Sequence, residues 1–289
     1  MPEIKILANM DKRNPESVKL NQYERNVYSQ AGEDGIIEAI FDVIGTKNRW
    51  CVEFGAWDGV HFSNTCRLIR EEGWSAVLIE GDEDRCSEIR ANHPDEDRVY
   101  PMHRWVGFDA GKDPIDDILK ETPIPQDFDL ISIDIDGIDW HVWNSIVDYR
   151  PRVVVIEFNP TVPNGVHFVQ DRDMSLAEGC SIGSLPSLAA SKGYELVCVN
   201  IRNAFFVVKE EFEKFGIPDN SVDAMRADRP NFIWNCYNGK IYQTMPRMAW
   251  WGKHVRFGPD KLQLLNEFRM QGDTKGTLSG TFTSSASSA

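Results

Sequence analysis

Between about residues 33 and 210, hydrophobic positions follow two alternating patterns. In 33–45, Ile36, Ile37, Ile40, Phe41 and Ile44 recur at helical spacing and Gly45 follows as a stop, which predicts an amphipathic lead-in helix. Short continuous apolar runs then alternate with helical patterns. Strands are predicted at 50–54, 75–80, near 98–103, at 129–134 and at 153–158; helices are predicted at about 63–72, 84–92, 114–121, 140–149 and 184–192. Apolar strands that alternate with amphipathic helices imply an α/β fold with a mostly parallel sheet covered on both faces. The last two apolar runs, 195–199 and 204–209, are separated only by 200–203. So short a gap excludes a crossover helix and predicts an antiparallel hairpin at the sheet edge.

Composition narrows the partners. Among 289 residues, 31 Lys and Arg stand against 45 Asp and Glu, giving a formal charge of −14 and a pI near 4.9. Duplex DNA and anionic membranes need clustered cations to neutralise phosphates, so neither nucleic acid nor membrane is expected as a partner; a neutral or cationic ligand fits better. No apolar stretch approaches the roughly 18 residues of a membrane span, and the first residues lack a secretory apolar core, so a cytoplasmic protein is expected. The six cysteines show no CxxC spacing and read as small buried hydrophobes. From about 271 the sequence becomes a Ser/Thr/Gly tail without the apolar content to order itself.

In open α/β sheets ligands lie beyond the carboxyl ends of the strands, so those ends carry the candidate chemistry. The first strand runs into Glu53, Gly55 and Gly59, where glycines permit a sharp turn and close approach to a ligand. The second ends at Glu80, 27 residues after Glu53, where an acid can accept hydrogen bonds from both hydroxyls of a ribose. The fourth ends in Asp134, Asp136 and Asp139, and the fifth in Glu157 and Asn159. Acids two apart repel unless a cation or a donor lies between them, so Asp134, Asp136, Glu157 and Asn159 are candidate ligands for Mg²⁺ or Mn²⁺. The alternative is that Asp139 caps a helix and the other acids bind loop amides. His167 and His141 are candidate partners of that site, and His61 follows the glycine turn. No nucleophile elbow or phosphate-binding loop is present in the sequence.

The strings YSQAGEDGIIEAIF at 28–41, CVEFGAWDG at 51–59, VLIEGD at 77–82, DLISIDIDG at 129–137 and NAFFV at 203–207 together resemble a class I S-adenosylmethionine-dependent methyltransferase, in wording its FkbM-type branch. The resemblance spans about 28–210. It implies a Rossmann-like, seven-stranded sheet whose last strand inserts antiparallel, S-adenosylmethionine as cofactor, and methyl transfer, most often to oxygen. It also implies that Glu53, Gly55 and Gly59, with Ala56 between the glycines, hold the methionine end of the cofactor. Glu80 holds the ribose, with Gly81 and Asp82 counted in the same set, while Gln30, Glu33 and Asp34 lie near the cofactor or acceptor. Trp57 stands where the wider class has its middle glycine.

The expectation is therefore a methyltransferase acting on a hydroxyl of a small molecule or glycan. Asp134, Asp136, Glu157 and His167 are its catalytic candidates, with a divalent cation among the strand-end acids. The competing readings are a nicotinamide-dependent oxidoreductase, disfavoured by the missing GxGxxG, and a noncatalytic nucleoside-binding protein. The expected organisation is an extension at 1–27, the α/β domain at 28–210, an aromatic-rich extension at 211–270 packed on that domain, and the tail at 271–289. The long 160–183 connection reads as an acceptor-side lid. Trp234, Trp250, Trp251, Tyr237 and Tyr242, interleaved with Arg247, Lys253, His254 and Arg256, suit an acceptor wall, a homodimer face or ordinary packing.

Overall fold

The structure, a computed structural model, describes residues 11–108, 114–228, 232–244, 247–249, 255–257 and 263. The Ser/Thr/Gly tail, the first ten residues, and Trp250, Trp251, Lys253 and His254 lie outside the described residues, as do the side chains of Arg247 and Arg256. The described residues fall into two compact units, 11–228 and those from 232 on.

The larger unit follows the predicted alternation. Its strands are β1 (Trp50–Phe54), β2 (Ser75–Glu80), β3 (Val99–His103), β4 (Leu130–Ile133), β5 (Val153–Glu157), β6 (Tyr194–Val199) and β7 (Asn203–Val208). Its principal helices are α1 (Glu33–Ile44), α2 (Cys66–Glu72), α3 (Glu83–Asn92), α4 (Ile115–Lys120), α5 (Asp139–Ser145) and α6 (Leu185–Lys192). The seven strands form one sheet in the order β3-β2-β1-β4-β5-β7-β6. The first five strands run parallel, and β7 lies antiparallel between β5 and β6. The expected hairpin therefore closes the sheet, with β6 at the edge.

Period-two alternation sends neighbouring strand residues to opposite cores. Val52, Phe54, Ile131 and Ile156 pack with α4, α5 and α6 through residues such as Ile118, Trp143 and Leu188. Cys51, Leu78, Leu130 and Val155 pack with the Ile36, Ile40 and Phe41 face of α1, with Leu68 of α2 and with Ile89 of α3. Both faces are thus covered, which is why these strands are apolar throughout. Cys51, Cys66, Cys86, Cys180 and Cys198 are buried thiols within these cores.

Two helices are shorter than predicted. α2 starts at Cys66 because Ser63, Asn64 and Thr65 direct their polar groups to Glu53. α5 stops at Ser145 because the amides of Val147 and Asp148 turn to the Asp116 carboxylate. At the amino ends of β4 and β5, Arg152 binds Asp129, Glu211 and the carbonyls of Ile44 and Gly45.

The second unit contains two short antiparallel pairs, Ile233–Asn235 with Ile241–Gln243 and Arg247–Ala249 with Val255–Phe257. Across the first, Trp234 and Tyr242 stack with ring centroids 5.8 Å apart. Among the described residues no helix is long and apolar enough to cross a membrane.

Candidate functional site at the carboxyl ends of the strands

The chain leaves β1 toward β2 and β3 on one side, then returns through β4 to β5 on the other. The sheet therefore reverses direction between β1 and β4, where an open α/β sheet presents its ligand crevice. The two strand ends meet closely: Gly55 has φ +60°, and a Cβ there would stand 2.3 Å from the carbonyl oxygen of Asp134. Only glycine satisfies both conditions.

The loop after Gly55 holds further left-handed residues. Trp57 has φ +52° and Phe62 φ +59°, and both are exposed aromatics. For residues of this bulk such a backbone costs about 1 kcal/mol or more. The Trp57 amide donates to the Glu80 carboxylate at 2.8 Å, while the other Glu80 oxygen accepts the Asp82 amide at 2.9 Å. Asp82 caps α3 by accepting the Arg85 amide, and the Arg85 guanidinium lies over the Trp57 ring, 4.1 Å from its centroid. Ala56 is buried and donates its amide to Ile79. Gly59, at φ +75°, lies against His93, whose Nε2 donates to the Gly59 carbonyl at 2.8 Å; burial lowers the His93 pKa. Gly81 leaves room for the Trp105 indole, which would lie 2.6 Å from a Cβ at that position.

Glu53 is buried and committed to its own loop. Its carboxylate accepts from the Ser63 hydroxyl at 2.6 Å, the Asn64 amide at 2.6 Å and the Thr65 hydroxyl at 2.7 Å. Burial raises its pKa against the lowering effect of those bonds. The lead-in acids are likewise turned inward. Glu33 accepts the Ala31 amide and the side-chain amides of Asn200 and Asn203, tying α1 to the β6–β7 turn. One Asp34 oxygen accepts the amides of Val27, Tyr28 and Ser29, each at 2.8 Å. The other is buried without a partner. Gln30 is half-buried, and its carbonyl accepts from Asn26.

Beyond β4 and β5, Asp134, Asp136 and Glu157 each offer an oxygen within 4.8 Å of the others. Burial raises the pKa of Asp134 first, with Asp139 and Asp136 adding to it and the hydrogen bond with Glu157 opposing; burial also raises Glu157 first, with Asp134, Asp139 and Asp136 adding to it and Arg202 opposing. The pair therefore holds a proton to higher pH than an exposed carboxyl does. Asp136, at φ +60° on the rim, is pushed up to about 6, by desolvation of its carboxyl first and by Asp139 second, with Arg202 opposing. Asp139 does not join them: its oxygens accept the amides of Ile135 and Gly137, both at 2.9 Å, and so hold the loop that carries Asp134 and Asp136.

Two expected members of this group have other surroundings. The Asn159 amide oxygen accepts both the amide and the hydroxyl of Thr161, so its lone pairs are engaged in its own turn. His167 is exposed and does not gather with the three carboxylates. His141 is buried, with Nε2 donating to the Gln170 carbonyl at 2.8 Å, so it fastens the 158–181 connection to α5. That connection is pinned along its length. Gln170 binds four backbone groups within it, and Arg226 holds Pro160 and Asn164. His61 is exposed beside Phe62. Trp57 stood out in the sequence only as the residue at the place of a glycine, and Arg85, His93, Trp105 and Arg202 had no signal beyond the glycines and acids that they adjoin.

A scan of protein-family models and a search of curated proteins return no match. Solved structures do show likeness. A magnesium protoporphyrin IX methyltransferase from Synechocystis with bound S-adenosylhomocysteine has 9% identity, with 61% of this chain and 80% of that one covered, at a TM-score of 0.39. An O-methyltransferase from Bacillus cereus, also with S-adenosylhomocysteine, has 16% identity, coverage of 68% and 91%, and a TM-score of 0.40. An S-adenosylmethionine-dependent methyltransferase from Clostridium acetobutylicum has 9% identity, coverage of 61% and 90%, and a TM-score of 0.40. The fold class itself follows from the strand order.

Proposed function

We propose that the chain is an S-adenosylmethionine-dependent methyltransferase of the FkbM type that methylates a hydroxyl oxygen of a small molecule or glycan, with a divalent cation at the acid-rich end of the site. The observation that carries this reading is the strand order β3-β2-β1-β4-β5-β7-β6 with Glu80 and the Gly55 turn at its reversal point. An antiparallel β7 beside β5 speaks against the nicotinamide alternative, whose sheet is parallel in both halves.

The residues present fit the donor. Glu80 is half-buried and keeps lone pairs for ribose hydroxyls after binding the amides of Trp57 and Asp82. The unpartnered Asp34 oxygen is a buried acceptor in the same acidic neighbourhood as Glu53, suited to an ammonium group. When bound, the donor supplies a methyl group on a positively charged sulfur, which an acidic site favours. Asp134, Asp136 and Glu157 fit a hard cation, Mg²⁺ or Mn²⁺, which binds carboxylate oxygens. When bound, a cation lowers the pKa of an acceptor hydroxyl. Without the cation, one of the same carboxylates would receive the acceptor's proton, Asp136 being the exposed one of the three.

The test is transfer of a labelled methyl group from S-adenosylmethionine to a panel of polyols, phenols and glycans, run with Mg²⁺ and with a chelator. Label on oxygen that disappears with chelation supports the full reading. Transfer that persists in the chelator removes the cation from it, and label on nitrogen or carbon alone removes the hydroxyl acceptor.

A further inference from the structure

The loop after β1 pays for a left-handed backbone at Trp57, where glycine would be free of strain, and leaves that residue 48% exposed. Burial does not explain that side chain. The contacts around it do point somewhere. The Trp57 amide binds one oxygen of Glu80, the Asp82 amide binds the other, Asp82 caps α3 at Arg85, and the Arg85 guanidinium covers one face of the Trp57 ring. This is a closed circuit around a single carboxylate. Arg85 also pairs with Glu88, three residues on in α3, at 2.6 Å. A second indole, Trp105, is 69% exposed and lies directly against Gly81, the residue after Glu80.

We propose that the Trp57 indole, braced by Arg85, is a contact wall for the nucleoside whose ribose Glu80 receives. This rests on the donor reading only for the identity of the nucleoside. Indoles stack on bases whatever their edge pattern, so the wall supplies affinity while Glu80 supplies recognition of the sugar. A guanidinium on one ring face leaves the remainder of the indole for the ligand and holds it in one orientation, so little ordering is left for binding to do.

The experiment is calorimetric titration of the full chain with S-adenosylhomocysteine and, separately, with adenosine, for the wild type, Trp57→Gly, Trp57→Phe and Arg85→Ala, alongside thermal melts. Trp57→Gly relieves the strained backbone and deletes the indole. It is expected to weaken both ligands about tenfold while the melting temperature holds. Trp57→Phe retains most of the affinity, and Arg85→Ala loses part of it. Unchanged affinity in Trp57→Gly overturns the proposal, as does a loss of affinity matched by a fall in melting temperature, which assigns the indole to structure. If the wild type binds adenosine through Trp57 but not S-adenosylhomocysteine, the wall stands and the methyl-donor reading fails. If it binds neither, both fail.

Discussion

Gly55 and Asp134 come so close that a methyl group at Gly55 would stand 2.3 Å from the Asp134 carbonyl oxygen, which locks the ends of β1 and β4 together at the reversal point of the sheet. Gly55→Ala has to move one strand end as well as adopt φ +60°. It is expected to cost about 3 kcal/mol in urea unfolding and to abolish nucleoside binding. Gly216→Ala is the control. It shares a positive φ, in the left-handed helical region, but has no neighbour within 4 Å, so about 1 kcal/mol is expected there, with binding intact.

Asp129 organises the amino-terminal ends of the strands. It is fully buried, accepts the amides of Lys47, Asn48 and Arg49, and pairs with Arg152 at 2.8 Å. Asp129→Ala leaves those donors and the guanidinium without their acceptor, so a loss of about 3 to 5 kcal/mol is expected in denaturant unfolding. Ligand affinity per folded molecule stays unchanged, because the residue lies at the far end of the strands.

The Asp134–Glu157 pair predicts the pH dependence of stability. Both folded pKa values are raised, by burial first. The folded state therefore binds more protons than the unfolded state above the ordinary carboxyl range, and stability falls as pH rises from there through the folded values. Melting temperature measured from about pH 5 to about pH 9 without divalent cations should decline, and Asp134→Asn should flatten the decline. Added Mg²⁺ should restore the alkaline end in the wild type and not in Asp134→Asn.

Glu33 predicts a tie and no direct part in catalysis. Its carboxylate joins α1 to Asn200 and Asn203 in the β6–β7 turn. Glu33→Ala should lower stability by about 2 kcal/mol, and nucleoside affinity should change little once folding is accounted for.

The strands were legible because their burial on two faces leaves continuous apolar runs, and β1 and β2 lie where the pattern places them. What polar side chains do was less legible. Ser63, Asn64 and Thr65 have the sequence of a helix start, yet Glu53 takes them and α2 begins at Cys66. The acids at 33 and 34 are spaced like a site, but spacing does not say that Glu33 turns to Asn200 and Asn203 or that Asp34 folds back on Val27, Tyr28 and Ser29. That the Asn159 oxygen engages Thr161, two residues on, is likewise not written in its spacing from Glu157. The Trp57–Arg85 contact was invisible for a different reason: a left-handed tryptophan goes against every local preference, so no pattern signals it.

The measurement that tests the central claim most directly is calorimetric titration with S-adenosylmethionine, S-adenosylhomocysteine and NAD in parallel, using the wild type and Glu80→Ala. The account predicts micromolar binding of the first two, none of NAD, and loss of binding when the ribose acceptor is removed. Binding of NAD with silence from both sulfur nucleosides would contradict it.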